Sequence, residues 1–188
     1  MLVRVKKSDN YIQTILDNLR LDDEIEMFVE YGENWKKIIK DTSQIYDLDV
    51  ALDKDGNPIC LFGIVGIENN IGVVLLLATK EIEKKTNYIT FARGAKKEIT
   101  LWQKRYSILC NRVYKRNDGA INWLKWLGFK FDNPLELDES VSLFFYKGIL
   151  EDENRKTIDS GALQGIKRTP LLICSQMERY SKLCCNNK

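Results

Sequence analysis

The spacing of apolar and polar residues predicts one short strand and then three helices at the start of the chain. Residues 2–6 alternate as the residues of a strand do. Apolar residues three and four positions apart, the spacing of an amphipathic helix, recur in the next three segments, which are residues 8–19, 22–32 and 35–39. Ser8 is an N-cap residue for the first predicted helix, and Gly32 is placed to end the second.

The period then changes to two, and three strands are predicted in succession. They lie in residues 45–52, 59–67 and 71–78. Residues 53–58, with the sequence Asp-Lys-Asp-Gly-Asn-Pro, are typical of a turn, and Asn69-Asn70 marks another. Tight turns predict an antiparallel meander. Its second and third strands are apolar on both faces and are therefore predicted to be central and buried on both sides.

The rest of the first 150 residues completes a mixed sheet covered by helices. Residues 79–105 hold eight Lys/Arg and three Glu, and their apolar positions have helical spacing. The remaining elements are predicted as a strand in 108–114, a helix in 118–127 that Gly128 ends, and strands in 129–131 and 141–146. We therefore predict an α/β (α+β) fold, with a mixed, mostly antiparallel central sheet and helices on both faces.

Length and charge suggest one domain with an appended arm. A chain of 188 residues is long enough for one well-buried domain. We assign residues 1–150 to that domain and 151–188 to a C-terminal arm for interaction. The net charge of +2 is carried by the arm, and the first 150 residues are balanced. A sequence-specific nucleic-acid partner is not expected, since such domains usually show a strongly basic face.

The absence of histidine excludes several classes of chemistry. Ser-His and Cys-His catalysis and histidine-ligated metals are excluded, and no metal site is predicted. The five cysteines include no CxxC pair, and Cys60 and Cys110 lie in apolar strands, where a cysteine is usually a small core residue. The longest apolar run, residues 71–78, is too short for a bilayer, which needs about 20 residues. We expect no membrane partner and, because the N-terminus is charged, no export by a signal peptide.

One segment resembles a motif of the GNAT acyltransferases. In that family an Asn follows the fifth strand, an Ala comes one helical turn later, and a Gly-Phe pair follows the helix. Here Asn117, Ala120, Gly128 and Phe129 hold these positions. The order of predicted elements is also that of the family. The resemblance implies a GNAT fold, acetyl-CoA as cofactor and an N-acetyltransferase activity on an amine.

Other parts of the sequence resemble one branch of this family. A Gly-x-Pro-x-x-x-Phe-Gly pattern runs from the turn into the second meander strand, with Gly56, Pro58, Phe62 and Gly63, and the segments Ala-Thr-Lys-Glu-Ile and Trp-Leu-Lys-Trp-Leu-Gly-Phe follow. Together they resemble GNAT-like proteins of short-tailed bacteriophages, which are described as internal virion proteins and linked to virion assembly. The resemblance implies a protein partner, either phage virion components or a host protein, in the host cytoplasm or the virion.

The GNAT resemblance also implies where the cofactor would bind. In the family the fourth strand pairs with the pantetheine arm, and the next helix N-terminus receives the pyrophosphate. The implied cofactor residues here are Leu76, Leu77, Ala78, Thr79, Arg93 and Asn117. The family's glycine-rich phosphate loop is degenerate, because no glycine follows the strand before Gly94. Cations could replace it as point charges, the candidates being Lys80, Lys84, Lys85 and Arg93.

The catalytic groups that the family implies are incomplete. Leu124 stands where the family has a Tyr that protonates the departing CoA thiolate. Tyr114, at the end of the preceding strand, is the remaining candidate for this role. A general base would come from the second helix, where Glu26 is the candidate beside Glu24 and Glu30; a solvated helix face is the alternative interpretation of these glutamates.

Two hypotheses about function stay open on the sequence. The first is an acyl-CoA-dependent N-acetyltransferase with a degenerate cofactor loop. The second is a non-catalytic virion-associated or virion-assembly protein that uses the GNAT fold as an interaction module. Trp123 and Trp126 are interpreted as core and partner-facing packing residues.

Removal of the predicted arm tests the domain assignment. A chain that ends at Gly148 should fold with a nearly unchanged melting temperature, because the arm has too few apolar residues to build a core of its own. Thermal melting of the full and the shortened chain, followed by circular dichroism, measures this. Insoluble shortened protein would show instead that residues 149–188 complete the core.

Overall fold

The computed structural model of the protein describes residues 2–67, 70–132 and 142–148. All helices and strands named below lie in these ranges. The predicted C-terminal arm, residues 151–188, lies outside the described residues, so its assignment stays a prediction. Among the described residues, no helix is both long and apolar enough to cross a membrane.

The helices form where the amphipathic spacing predicts them. They are α1 (Asp9–Asp17), α2 (Leu21–Tyr31), α3 (Trp35–Ile45), α4 (Lys85–Gln103) and α5 (Asp118–Trp126). The hydroxyl of Ser8 accepts from the N–H of Tyr11 at 3.4 Å and caps α1. Gly32 ends α2 with a φ of +67°, a backbone conformation that favours glycine. Both predicted helix boundaries are thereby confirmed.

The strands form one sheet with a single parallel pair. They are β1 (Val3–Lys6), β2 (Asp49–Leu52), β3 (Pro58–Ile67), β4 (Ile71–Ala78), β5 (Ile108–Tyr114), β6 (Lys130–Asp132) and β7 (Ser142–Gly148). Their order across the sheet is β1-β2-β3-β4-β5-β7-β6. β4 and β5 are parallel, and all other neighbours are antiparallel. The predicted mixed, mostly antiparallel sheet is confirmed.

The boundary between α3 and β2 differs from the prediction. Alternating apolar residues predicted a strand from residue 45, but α3 continues to Ile45 and β2 begins at Asp49. The helix continues because it buries a face that includes Ile39 against α1 and α2. The N–H of Tyr46 then closes the last turn on the carbonyl of Thr42. Packing against neighbouring helices therefore outweighs the local alternation.

The sheet separates two layers of helices. α1–α3 cover one face, where their apolar side chains pack on Val50, Leu61 and Leu77. α4 and α5 cover the other face and pack on Val74, Leu109 and Val113. The sheet is thus buried on both sides at its centre, as the wholly apolar β4 predicts.

Cys60 and Cys110 lie in the core, as expected for small apolar residues of central strands. Both are buried free thiols. Burial raises the pKa of the Cys110 thiol to about 12 and also raises the pKa of the Cys60 thiol. Neither thiol is therefore a nucleophile at neutral pH.

Candidate active site

The sheet opens between β4 and β5. These strands pair only near their start, where Ile71, Gly72 and Val73 lie beside Ile108, Leu109 and Cys110. Where this pairing stops, Nδ2 of Asn111 donates to the carbonyl of Val74 at 2.7 Å. The carboxyl-terminal parts of the two strands therefore leave a gap between them.

The direction of the backbone decides which groups of β4 face this gap. The N–H of Thr79 donates to the carbonyl of Ile59 at 2.8 Å, and such pairs alternate along an antiparallel ladder. Thr79 and Leu77 are therefore paired with β3. The N–H and C=O of Leu76 and of Ala78 point the other way, into the gap.

The protein's own chain occupies the far end of the gap. The N–H of Ala78 donates to Oδ2 of Asp23 at 2.9 Å, and its carbonyl accepts from the N–H of Arg20 at 3.0 Å. The N–H of Lys80 continues this pairing on the carbonyl of Asn18 at 3.1 Å. Of the residues of β4 after Val74, Leu76 is therefore the one whose backbone N–H and C=O face the gap and have no partner within the described ranges.

The predicted cofactor residues of β4 are therefore not equivalent. Ala78 faces the gap, but its backbone is already hydrogen-bonded. Leu77 has its side chain buried under α1–α3 and its backbone on β3. Thr79 is also turned away, because its hydroxyl donates to the carbonyls of Pro58 and Ile59. The structure places neither Leu77 nor Thr79 in the gap.

Asn117 is the centre of a buried hydrogen-bond network at the end of the gap. It is 1% exposed, and its Oδ1 caps α5 by accepting from the N–H of Ala120 at 3.1 Å. Its Nδ2 donates to Oε2 of Glu26 at 3.0 Å and to Oδ1 of Asp23 at 3.3 Å. One side chain therefore joins the start of α5 to two carboxyl groups of α2.

Arg20 completes the network on the β4 side. Its guanidinium forms an ion pair with Asp23 and donates to Oδ1 of Asn117 at 3.3 Å. Its Nε is buried and has no hydrogen-bond partner among the described residues, and the same is true of Nε1 of Trp123 on α5. Two buried donors are thus available to an acceptor that this part of the chain does not supply.

Glu26 has a carboxyl group with a raised pKa. Its removal from water raises its pKa to about 7, and the nearby charge of Asp23 adds to the rise. Hydrogen bonds from Asn117 and from the backbone of Tyr114 lower the pKa, but they do not outweigh the desolvation. A carboxyl group that titrates near neutrality can exchange a proton with a ligand at physiological pH.

The acidic side chains of α2 and the side chain of Tyr114 on β5 lie on the same face of the sheet. Glu30, one turn after Glu26, lies 3.8 Å from Nη1 of Arg112 and accepts from the hydroxyl of Ser142 at 3.4 Å. Tyr114 lies two residues after Arg112 on β5, so its side chain is on the face that α2 covers. The structure therefore brings both predicted catalytic candidates, Glu26 and Tyr114, to one side of the gap.

The segment after β4 forms without a glycine loop. It begins with a 3-10 turn at Lys80–Glu83, and α4 starts at Lys85 with no side-chain cap. Lys84 already forms an ion pair with Glu81. Arg93 is exposed on α4 about 12 Å along the helix axis from Lys85, so it does not lie at the helix N-terminus.

Leu124 lies in the core between α5, α4 and β5. It is 5% exposed and belongs to the apolar cluster of this layer. The preceding residue, Trp123, stacks on Phe91 of α4 with ring centroids 5.5 Å apart. Trp123 and Phe91 also line a cavity of about 350 Å³ between α4 and the sheet, and Leu76 forms part of the same wall.

Three solved structures that are similar to this chain are acetyltransferases. Spermidine N-acetyltransferase from Vibrio cholerae, in complex with CoA and spermine, has a TM-score of 0.59 and 15% identity, covering 78% of this chain and 95% of its own. PaiA N-acetyltransferase from Thermoplasma acidophilum, in complex with coenzyme A, has a TM-score of 0.57 and 16% identity, covering 79% and 99%. A GNAT superfamily phosphinothricin acetyltransferase from Sinorhizobium meliloti, in complex with AcCoA, has a TM-score of 0.58 and 13% identity, covering 82% and 92%.

These similarities define the class of the fold. The chain has the GNAT fold, as its sequence predicted, and it spans nearly the whole length of the three acetyltransferases. No family model and no curated protein matches the sequence itself. The low identities show the fold alone, so the activity of this chain rests on its own site residues.

Sequence analysis missed three residues of the site, which are Arg20, Asp23 and Asn111. Arg20 and Asp23 lie three residues apart at the start of α2, a spacing at which opposite charges attract. Asn111 is a polar residue inside an apolar strand, which is the signal that could have singled it out. The contacts of Asp23 with Ala78 and Asn117 depend on tertiary structure and leave no such local signal.

Replacement of Glu26 by Gln should remove a pH-dependent loss of stability. An unfolded Glu ionises near pH 4.5, whereas folded Glu26 keeps its proton until about pH 7. The folded state therefore loses stability as the pH rises through this window. Gln still accepts from Asn117 but cannot ionise. We expect Glu26→Gln to exceed the wild type by roughly 1–3 kcal/mol in free energy of unfolding at pH 8, and to match it closely at pH 4.5.

Urea unfolding followed by tryptophan fluorescence at the two pH values measures this difference. Glu24→Gln is the matched control, because Glu24 is on the same helix but exposed. This control should give the same small difference from the wild type at both pH values. If Glu26→Gln also behaved identically at pH 4.5 and pH 8, Glu26 would have an ordinary pKa and the assignment would be wrong.

Proposed function

We propose that the protein is an acyl-CoA-dependent N-acetyltransferase in which Glu26 receives the proton of the acceptor amine. One juxtaposition carries this proposal. The gap between β4 and β5 exposes the backbone of Leu76, and a carboxyl group with a pKa of about 7 lies at the end of the same gap. Enzymes place titratable groups of this kind where a proton must be exchanged near neutral pH.

The groups around the gap fit the pantetheine arm of acetyl-CoA. This arm carries amides, and Leu76 offers one backbone donor and one acceptor to them. The buried Nε of Arg20 and Nε1 of Trp123 are further donors with no partner in the described structure. The segment after β4 has no glycine, so we assign the phosphates to the exposed cations Lys80 and Lys85 as point charges.

The protein's share of the chemistry is to hold and deprotonate the amine. When bound, acetyl-CoA supplies a thioester whose acyl carbon forms a C–N bond with the amine while the C–S bond breaks. Ionised Glu26 accepts the proton that the amine loses, and Asn117 holds this carboxylate in place. Tyr114 lies on the same face, and we assign its hydroxyl to return a proton to the leaving sulfur. Leu124 cannot donate a proton.

The acceptor that best fits this side of the gap is a cationic amine. Glu26 and Glu30 lie on the sheet side of α2, and Asp22 and Glu24 are exposed beside them. Carboxylates attract ammonium groups before one of them removes a proton. A structure similar to this chain, the spermidine N-acetyltransferase, was solved with spermine. Spermidine is therefore a suitable probe.

The proposal predicts both cofactor binding and a pH-dependent rate. Acetyl-CoA at about 100 times its Kd should add about 2.7 kcal/mol of stability and raise the melting temperature. With spermidine as acceptor, kcat/KM should rise with pH through about pH 7 as Glu26 ionises. Glu26→Gln should lower kcat/KM by about 10²–10⁴-fold without changing the shift in melting temperature. Thiol release, measured with a chromogenic disulfide reagent, gives the rate.

Glu24→Gln is again the control and should keep the rate to within about twofold, since its side chain is exposed and makes no contact with Asn117. Absence of a thermal shift at millimolar acetyl-CoA, with folded protein, would contradict the cofactor assignment. A normal shift with equal rates for Glu26→Gln and the wild type would contradict the role of Glu26 alone.

The second candidate is a non-catalytic GNAT-fold protein used in phage virion assembly. The observation that favours it is the occupation of Ala78, whose backbone is bonded to Asp23 and Arg20. The family's tyrosine position is also filled by Leu124, which is a core residue. In this proposal the protein contacts virion components or a host protein in the host cytoplasm or the virion, as its resemblance to short-tailed phage proteins suggests.

Leu124→Tyr separates the two candidates. Leu124 is enclosed by apolar side chains, so the larger phenol should overpack the core and lower the free energy of unfolding by roughly 1–3 kcal/mol. If the gap binds acetyl-CoA, the new hydroxyl adds a proton donor to the one that Tyr114 supplies, and we expect the rate of thiol release to rise by about tenfold, below the range of about 10²–10⁴ for general acid catalysis. Melting temperature and thiol release are measured on the same variant.

Leu124→Phe is the matched control, because it adds the same bulk without the hydroxyl. A rate increase in the Tyr variant and not in the Phe variant would support the enzyme. Equal destabilisation of both variants, with no thiol release from either, would support the assembly protein.

A further inference from the structure

Charge is distributed unevenly between the two layers of helices. Residues 9–45, which span α1–α3, have four Lys/Arg and nine Asp/Glu. Residues 85–104 and 118–126, which are α4 with its C-cap and α5, have six Lys/Arg and two Asp/Glu. Since these two layers pack on opposite faces of the sheet, the fold converts a balanced sequence into one acidic side and one basic side.

The exposed side of α4 carries cations without carboxylates. Its exposed charged residues are Lys85, Arg93, Lys96 and Lys97, and the C-cap residue Lys104 is exposed as well. Glu98, the one acidic residue of α4, is turned to Arg4 of β1 at 2.9 Å. None of the five cations forms an ion pair within the described residues. By contrast, ion pairs do form at lysines of the opposite side, namely Lys36 and Lys37 of α3.

Aromatic rings lie among the neighbouring lysines. The ammonium of Lys96 lies 5.7 Å from the ring centroid of Trp126, and the Trp126 residue is still 55% exposed. Lys147 of β7 lies 6.0 Å from the ring centroid of Phe129. Partial burial and the charge of Lys96 lower the pKa of Lys147, so these two like charges lie close together.

We propose that this basic face, defined as the exposed side of α4 together with Trp126 and Lys147, binds single-stranded nucleic acid without sequence preference. Cations spaced about one to two turns apart along one helix can contact phosphates of one strand, and an exposed tryptophan beside them provides a surface on which a base stacks. Phosphate contacts of lysine and arginine carry no sequence information. The proposal is therefore compatible with the expectation of no sequence-specific nucleic-acid partner.

The exposed ring and the spacing of apolar residues favour this ligand over an anionic lipid surface. Stacking on Trp126 requires an unpaired base, which a duplex does not offer. A helix that lies in a membrane surface needs a continuous apolar stripe. The exposed apolar residues of α4 are Ile89 with its neighbour Tyr88 near one end and Leu101 near the other. Ile89 and Leu101 are about 18 Å apart along the axis, so they form no such stripe.

Fluorescence anisotropy with a labelled 20-nucleotide oligothymidylate tests the proposal on the full chain. The wild type should bind at 50 mM salt. The plot of log K against log[salt] should have a slope near −3.5 if about five phosphates are contacted, since each contributes about 0.7 on single strands. No measurable binding at 50 mM salt would overturn the proposal.

Paired lysine variants locate the surface. Lys97→Ala with Lys104→Ala should weaken binding by about tenfold and make the salt slope shallower by about 1.4. The control is Lys37→Ala with Lys40→Ala on α3, which removes the same charge from the opposite side. This control should change the affinity by less than about threefold. Equal losses of affinity in the two double variants would show that net charge, and not the basic face, governs binding.

Trp126→Ala separates stacking from charge. It should weaken oligothymidylate binding by about tenfold and leave binding of polyphosphate, which has no bases, unchanged. Trp126→Phe, which keeps a ring, should recover part of the loss. Circular dichroism confirms that each variant is folded. Sedimentation of the protein with phosphatidylserine vesicles, combined with no binding of oligothymidylate, would overturn the proposal in favour of a lipid surface.

Discussion

The hydrogen bonds that Asn117 makes to two carboxyl groups of α2 hold the open part of the sheet in place. Asp23 binds the end of β4, and Glu26 lies beside the end of β5. Asn117 donates a hydrogen bond to each of these two carboxyl groups. Because these groups are buried, removal of one partner would leave another unsatisfied, at about 1–3 kcal/mol for each group. The width of the gap therefore depends on a polar network that links a helix to two separated strands.

The same network produces the unusual chemistry of Glu26. The loss of water, and to a smaller extent the nearby carboxylate of Asp23, disfavour its ionised form, while the amide of Asn117 keeps it oriented. The protein thus tolerates a carboxyl group in an unfavourable environment at the one place where its strands separate. A group that destabilises the fold when ionised, and that has a fixed position beside an opening, is typical of functional sites.

The sequence predicted some parts of this site and not others, for identifiable reasons. β4 and β5 were predicted residue for residue. β4 is an apolar run between turn signals, β5 is mainly apolar despite Asn111 and Arg112, and Asn117 followed from a local motif. The alternation along β4 could not be predicted, since a wholly apolar strand does not indicate which of its residues pair with β3. Arg20 and Asp23 form a local ion pair, but their place in the site was missed because it depends on contacts with Ala78 and Asn117, which lie far away in the sequence. The excess of cations in residues 79–105 was visible in the sequence, but Trp126 and Lys147 could not be assigned to the same face, because only tertiary structure brings them to Lys96.

The short pairing between β4 and β5 also affects how the sheet assembles. The sheet consists of two groups of strands. One group is β1, β2, β3 and β4, and the other is β5, β7 and β6; their backbones are joined at three residue pairs of β4 and β5. Val74 and Asn111, at the end of this junction, are 37 residues apart, so the entropy of loop closure opposes their contact. Late formation of this junction during folding is the expected result, and local unfolding is expected to begin there. The amide hydrogens on either side of the opening should accordingly exchange with solvent before those of the β3–β4 ladder.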